Sequence, residues 1–212
     1  MFYGKYYEDQ LNNELHDSPR EIAVVDPSYV FKNRATLILE INKAGLKEFD
    51  FIIRGTDNMV YFKGQKSIKT LKLFNQEDFT VMKNSYSLTK STLYAGSGNK
   101  HNVGTISVKN SLKGNKYNVD VTNIATEQTE YLDLNCEPYF RSAGVFLGRE
   151  DDGAPLLCKI FKISNAGFKS TAKYQIEIAR NLDHALAIML GMYVAQCAID
   201  AENRARNANN RR

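Results

Sequence analysis

Short apolar runs separated by turn residues fill the chain from residue 34 to residue 180. The runs are rich in β-branched and aromatic residues. The segments between them carry Gly, Asn and Asp, which tolerate the backbone conformations of tight hairpins. This pattern predicts twelve antiparallel strands. They are Ala35–Ile41, Glu48–Arg54, Met59–Lys63, Ile68–Phe74, Phe79–Lys83, Tyr86–Ala95, Val103–Lys109, Lys116–Thr122, Thr129–Leu134, Tyr139–Leu147, Leu156–Ile163 and Lys173–Arg180.

The side-chain alternation indicates which strand faces are buried. In the last predicted strand, Tyr174, Ile176 and Ile178 alternate with polar residues, which is typical of a strand with one buried face and one solvent-exposed face. The run Leu156–Phe161 is largely apolar on both faces. We therefore expect that strand to be covered on two sides or bent.

The C-terminal segment changes to a helical pattern. Asp183 is a good N-cap for a helix that we predict to end near Arg206. The first four turns of this helix are apolar nearly all round, which indicates enclosure by other elements. The apolar run Ala185–Ile199 has 15 residues, whereas a bilayer span needs about 20. We therefore predict no transmembrane span.

Together these elements predict a mainly β fold. It is a twelve-stranded antiparallel closed barrel that encloses one hydrophobic C-terminal helix, because such a barrel hides the helix and the helix fills its lumen. The predicted organisation is a flexible N-terminal arm over residues 1–20 and a barrel domain over residues 21–206. Within that domain the central helix covers residues 183–206, and residues 207–212 form a disordered polar tail.

Charge and cysteine content exclude several classes of protein. With 28 Lys plus Arg against 24 Asp plus Glu, the net charge of +4 does not indicate a nucleic-acid binder, although it permits contact with an anionic surface. Three cysteines without a C-x-x-C pair imply neither a disulfide framework nor a zinc site. Since the first residues also lack an apolar leader, we predict a cytoplasmic protein.

Candidate catalytic and metal-binding motifs are weak. No catalytic triad can be identified around His16, His101 or His184. The G-x-S-x-G motif that would present a nucleophilic serine is missing. The segment 96–101 lacks the third glycine of a dinucleotide loop, and the carboxylates at 150–152 lack the spacing of a calcium loop. Both segments are predicted to be turns. We expect no enzyme activity, no catalytic residues, no metal site and no cofactor.

Several stretches resemble the plant LURP-one-related proteins. Val24–Tyr29 resembles the opening motif of that family, and Asp50–Arg54 followed by Asp57–Lys63 is similar to its first strand pair. Asn181–Ala187, which leads into the apolar helix, and the acidic end at Ile199-Asp200 resemble the helix start and end of the family. The resemblance covers roughly residues 24–204, and the middle strands align by pattern alone.

The resemblance implies the tubby C-terminal-like fold, a twelve-stranded barrel around one hydrophobic helix. Tubby domains, which share this fold, bind phosphoinositides through basic residues, and the related phospholipid scramblases act at membranes. A shared barrel does not carry a shared site. No stretch of this chain matches the tubby lipid motif, and the cysteine cluster of the scramblases is missing.

Two groups of basic residues remain as candidates for binding a lipid phosphate. In the first, Lys63, Lys66, Lys69 and Lys72 recur at three-residue spacing, so that Lys66 and Lys72 could flank one side and Lys69 the other. The second group spans two late strands that could meet across a hairpin. It contains Lys159, Lys162, Lys169, Lys173 and Arg180.

The candidate headgroup ligands are therefore lysines from both groups. They are Lys66, Lys72, Lys159, Lys162 and Lys173. One hypothesis is a non-enzymatic module that binds anionic phospholipid, such as phosphoinositide, at the periphery of a membrane. The alternative is a protein-interaction or structural module without a small ligand, whose lysines belong to an ordinary solvated surface.

Overall fold

The computed structural model describes residues 8–42, 48–86, 90–109, 115–164 and 171–209. Twelve strands and one long helix are the main elements of these segments, beside a helical turn at residues 8–12 and two short 3-10 turns. The strands are β1 (Ala35–Asn42), β2 (Phe49–Gly55), β3 (Val60–Lys66), β4 (Thr70–Phe74), β5 (Thr80–Tyr86), β6 (Lys90–Ala95), β7 (Asn102–Lys109), β8 (Asn115–Asn123), β9 (Gln128–Cys136), β10 (Ser142–Leu147), β11 (Leu156–Ser164) and β12 (Thr171–Ile178). The central helix is His184–Asn209.

The strands form one closed barrel, as predicted. Each strand pairs antiparallel with its neighbour in sequence, and β1 pairs with β12 to close the ring. Tyr174, Ile176 and Ile178 of β12 are buried in the core, which confirms the predicted alternation. The outer side of β11 is partly covered by the N-terminal segment, because the His16 amide donates to the Leu156 carbonyl at 2.8 Å.

The central helix fills the lumen of the barrel. By length and composition the segment His184–Ala208 could cross a membrane, but 83% of its most apolar stretch is buried inside the barrel. The contact between helix and wall is close. A Cβ added to Gly191 would meet Ile176 Cδ1 at 2.5 Å, and one added to Gly64 would meet Met192 Cε at 2.5 Å. Glycine at these two positions lets the helix lie directly against β12 and β3.

Residues 20–30 close the end of the barrel at which the helix begins. Ile22, Ala23 and Val24 are fully buried there, and Ile22 forms a bridge with Leu182. The carboxylate of Asp183 caps the helix by accepting from the Leu186 amide at 3.1 Å. Its other oxygen accepts from the amides of Val24 and Val25 at 2.8 and 2.9 Å. One buried side chain therefore fixes both the helix start and the closing segment.

The described part of the N-terminal arm lies against the barrel. Lys159 Nζ donates to the Leu11 carbonyl at 3.4 Å, and Asp17 forms ion pairs with Arg34 and Arg180. The Arg20 guanidinium makes two hydrogen bonds to the buried carboxylate of Glu130. Residues 1–7 of the predicted flexible arm lie outside the described residues.

Most strand ends differ from the sequence prediction by a few residues, and β3 and β5 each extend three residues further, to Lys66 and Tyr86. Two other differences stand out. The helix continues to Asn209, so residues 207–209 of the predicted tail are helical, and residues 210–212 lie outside the described part. Strand β10 begins at Ser142 rather than Tyr139. The reason is a turn in which Glu137 Oε2 accepts from the Tyr139 and Arg141 amides, while Phe140 has a positive φ of 56°.

The chain alternates between the two ends of the barrel. We name them the helix-start end, at His184, and the helix-exit end, where the helix leaves near Asp200. The turns at residues 96–101 and 150–153 were predicted as turns. The structure confirms this, with Gly96 at φ 71° and Gly153 at φ 77°.

His184 is enclosed at the helix-start end, where it gives folding a pH dependence. Burial lowers its pKa from 6.5 to about 4, and its Nδ1 lies 2.9 Å from the Tyr29 carbonyl oxygen. Since the unfolded chain binds this proton more tightly, stability is lost as pH falls from about 6.5 toward 4. We expect the free energy of unfolding to drop on the order of 3 kcal/mol over this range from His184 alone.

Chemical denaturation at a series of pH values checks this expectation. Burial raises the pKa of the neighbouring Asp183, which contributes with the opposite sign. A His184→Gln variant keeps Asp183, so the difference between the two proteins isolates the histidine. Identical pH slopes for the wild type and His184→Gln would contradict the assignment.

Candidate functional site

Three candidate lysines on β11 and β12 already have carboxylate partners. Lys159 Nζ lies 2.9 Å from Glu177, and Lys173 Nζ lies 2.6 Å from Glu40. Lys162 Nζ lies 3.5 Å from Glu202 of the central helix. Arg180 pairs with Asp17, and Lys169 lies outside the described residues. This predicted group is therefore locally neutralised, and its members do not converge as free cations.

Lys66 points into the barrel. It is only 7% exposed, and its ammonium group donates to the Ser67 carbonyl at 2.5 Å. The ring centroids of Phe49 and Tyr86 lie 6.0 and 5.9 Å from its Nζ. Burial lowers the pKa of Lys66, with Asp200 acting in the opposite direction. A headgroup outside the barrel cannot reach this cation in the described structure.

Lys72 lies on the outer face of the barrel. Its neighbours Leu71 and Leu73 are fully buried in the core, and it is itself half-buried, so its side chain faces outward. Lys66 and Lys72 are therefore on opposite sides of the barrel wall, not on one side as expected. The expectation failed because β3 ends at Lys66 and β4 starts at Thr70, so the intervening turn resets the alternation.

A second lysine, which was not among the candidates predicted from the sequence, lies directly beside Lys72. In the antiparallel register of β4 and β5, Lys72 is opposite Lys83. Directly opposed residues have their Cβ atoms about 4.5–5.5 Å apart. Gln65 is the partner of Lys72 on β3, and Tyr94 is the partner of Lys83 on β6. A row of four outward residues thus crosses four strands with two cations at its centre.

Lys83 faces outward but is only 8% exposed, and no carboxylate pairs with it among the described residues. Its Nζ donates to the side chain of Asn99 and lies 3.3 Å from the Ser97 carbonyl oxygen. The ring centroid of Tyr94 is 5.3 Å from the same nitrogen. These contacts come from β6 and from the turn at residues 96–101, so they orient the ammonium group without cancelling its charge.

Carboxylates are missing from this part of the wall. Strands β3 to β7 carry six lysines and no Asp or Glu. Over residues 60–119, ten lysines stand against two carboxylates, Glu77 and Asp78. Asp78 is paired with Lys63 at 2.8 Å. The modest net charge of +4 therefore conceals a strongly basic sector, which a search for carboxylate-free strands would have revealed in the sequence.

We call this surface the lysine face and define it by its outward side chains on β3 to β6. They are Gln65, Thr70, Lys72, Lys83, Ser85, Thr92 and Tyr94. Ammonium groups flanked by hydroxyl and amide donors make charge-assisted hydrogen bonds to phosphate oxygens. The arrangement is therefore suited to a phosphate group.

The other candidate groups do not form a site in the described part of the chain. There, no group of three His, Cys, Asp or Glu side chains is placed to hold a metal ion. Cys136 and Cys158 are fully buried, and burial raises the pKa of both thiols. Their thiolates are therefore disfavoured as nucleophiles.

Comparison with known families identifies the chain. A family model described as LURP-one-related matches residues 20–195. The chain belongs to the LURP-one-related family. The match begins at the segment that closes the helix-start end and runs into the central helix, so it includes all twelve strands. It confirms the resemblance seen in the motifs.

A solved relative has the same fold. The X-ray structure of a protein from Arabidopsis thaliana matches with a TM-score of 0.60 and 14% sequence identity. The match covers 83% of this chain and 98% of the Arabidopsis chain. A comparison with curated proteins found no match. The family match and the fold together support the tubby-like barrel architecture, and at this identity the structural likeness shows the fold alone.

Proposed function

We propose that this LURP-one-related barrel is a non-enzymatic module that binds anionic phospholipid headgroups, with phosphoinositides as the preferred class, through the lysine face. The observation that carries the proposal is the opposed pair Lys72 and Lys83 on strands without carboxylates. Of the lysines selected from the sequence, Lys72 remains a ligand in this proposal, and the charge of the buried Lys83 beside it adds to the attraction.

Electrostatics supports an anionic ligand at this place. Like charges directly opposite on a sheet destabilise it, and neither Lys72 nor Lys83 has an ion pair within the described residues. A phosphate group between them removes the repulsion. Each basic residue near an anionic membrane contributes about 1 kcal/mol. The pair therefore accounts for about 2 kcal/mol of binding free energy, or about thirtyfold in affinity.

Vesicle co-sedimentation tests the proposal. Phosphatidylcholine vesicles are compared with the same vesicles containing phosphatidylserine or phosphatidylinositol bisphosphate. We expect retention on the anionic vesicles alone, strongest with the bisphosphate. We also expect Lys72→Gln combined with Lys83→Gln to weaken it about thirtyfold at moderate salt.

A matched control removes the same charge from the other side of the barrel. Lys159→Gln combined with Lys173→Gln eliminates two ammonium groups that are paired with Glu177 and Glu40. We expect this variant to bind within about twofold of wild type, because charges beyond a Debye length of about 8–10 Å are screened. Thermal melting by circular dichroism confirms that both variants are folded.

Two outcomes overturn the proposal. One is equal retention of the wild type on neutral and anionic vesicles, which favours the alternative of a protein-interaction module. The other is equal loss of binding in the two double variants, which would show that total charge and not the lysine face determines retention.

A further inference from the structure

Two large apolar side chains are exposed at the helix-exit end, on the same strands as the lysine face or next to them. Ile68 in the turn between β3 and β4 is 69% exposed, and Val108 near the end of β7 is 56% exposed. Isolated exposed apolar residues are ordinary on a protein surface. Their position at the helix-exit end, among lysines, distinguishes these two from Phe79, which is 67% exposed at the other end and follows Glu77 and Asp78 in the chain.

Cations lie between the two apolar residues along this rim. Lys69 follows Ile68 in the same turn, and Lys90 begins β6 at the same end; both are exposed. Strands β3 to β7 contribute no carboxylate to the rim. Apolar side chains among lysines suit the interface of an anionic bilayer, where the apolar group enters the headgroup region and the cations meet phosphates.

The central helix decides which part of the rim can approach a membrane. Residues 200–208 continue the helix beyond its buried part for about 14 Å and are largely exposed. This extension prevents a flat approach by the whole helix-exit end. Glu202 in the extension pairs with Lys162 of β11, and β11 is six strands away from β5 in the twelve-stranded ring. The Glu202 pair draws the extension toward β11, while Asp200 at its base stays close enough to Lys66 to counteract the lowering of that lysine's pKa by burial.

We infer that the helix-exit rim from β3 to β7 docks on an anionic lipid bilayer, with Ile68 and Val108 entering the headgroup region while Lys69 and Lys72 bind the phosphates. This inference rests on the proposed function. It adds the source of the phosphate, a bilayer rather than a soluble inositol phosphate, and the orientation of the barrel.

The chain has no tryptophan, so a single introduced tryptophan reports its own surroundings. Ile68→Trp places the reporter on the proposed rim. Met59→Trp places it in the turn between β2 and β3 at the opposite end, where Met59 is 61% exposed. With phosphatidylcholine vesicles containing phosphatidylinositol bisphosphate, we expect a blue shift of emission for Ile68→Trp and none for Met59→Trp.

A second pair of variants measures the apolar contribution. We expect Ile68→Ser to weaken retention on these vesicles about fivefold, because an isoleucine side chain partly buried in the headgroup region is lost. We expect Met59→Ser to leave retention unchanged. Titration with soluble inositol trisphosphate, followed by the shift in melting temperature, is expected to respond equally in wild type and Ile68→Ser.

The outcomes separate this inference from the proposed function. The headgroup function stands if the wild type binds anionic vesicles and the Lys72→Gln, Lys83→Gln variant does not. In that case the orientation is wrong if the tryptophan emission shifts at position 59, or if it shifts at neither position. An Ile68→Ser variant that binds vesicles like wild type also overturns the orientation. If wild type binds no anionic vesicle, the proposed function fails and the inference fails with it.

Discussion

Replacing Met189 by lysine is expected to prevent the chain from folding. Met189 is fully buried in the lumen, where the central helix is enclosed by strands. An unpaired charge in such surroundings costs several kcal/mol, against a total stability of about 5–15 kcal/mol for an ordinary domain. We expect Leu186→Asp to have the same effect, because Leu186 is equally buried. Expression of soluble protein and a cooperative thermal transition are the measurements.

The exposed part of the same helix supplies the control. Ala205 lies beyond the barrel and faces solvent, so Ala205→Lys adds the same charge without burying it and is expected to melt like wild type. A Met189→Lys protein that is soluble and melts cooperatively would contradict the enclosed position of the helix.

Replacing Asp183 by alanine is expected to cause the largest loss from a single polar side chain. Three backbone amides, those of Val24, Val25 and Leu186, lose their acceptor in a buried place. Each unsatisfied buried group costs about 1–3 kcal/mol, so the free energy of unfolding should fall by about 4 kcal/mol or more. Chemical denaturation measures this loss.

Asp26 provides a matched comparison on the exposed surface. Its carboxylate accepts from the Ser28 amide at 2.8 Å and caps the short turn Pro27–Tyr29. Asp26→Ala should cost about 1 kcal/mol, the ordinary value for an exposed cap. Equal losses in Asp26→Ala and Asp183→Ala would show that Asp183 acts only as a helix cap and does not hold residues 20–30 in place.

The barrel could be predicted because each of its signals is local. Tyr174, Ile176 and Ile178 alternate with polar residues, so the strand has one apolar face. The helix after Asp183 is apolar on every side, and the apolar faces of the strands can bury it. The closure between β1 and β12 follows from the same need. Strand ends were less predictable, as at Tyr139, because the carboxylate of Glu137 holds a turn where the sequence pattern continues a strand.

The candidate site was only partly predictable, because residues distant in sequence determine which lysines are paired with carboxylates and which lie next to each other. Lys173 forms an ion pair with Glu40, which is 133 positions away in the sequence. The residues next to Lys173 in the chain do not indicate this partner. Lys72 and Lys83 stand opposite each other only after the register of β4 and β5 is fixed. The local signal that could have located them is the run of strands without carboxylates.

Amide chemical-shift mapping with a short-chain, soluble phosphatidylinositol bisphosphate locates the headgroup site. We expect saturable shifts confined to β3 to β6 and largest near Lys72, Lys83 and the turn at residues 96–101, with the amides around Lys159 and Lys173 unchanged. Shifts centred on β11 and β12, or no saturable shifts at all, would contradict the proposal.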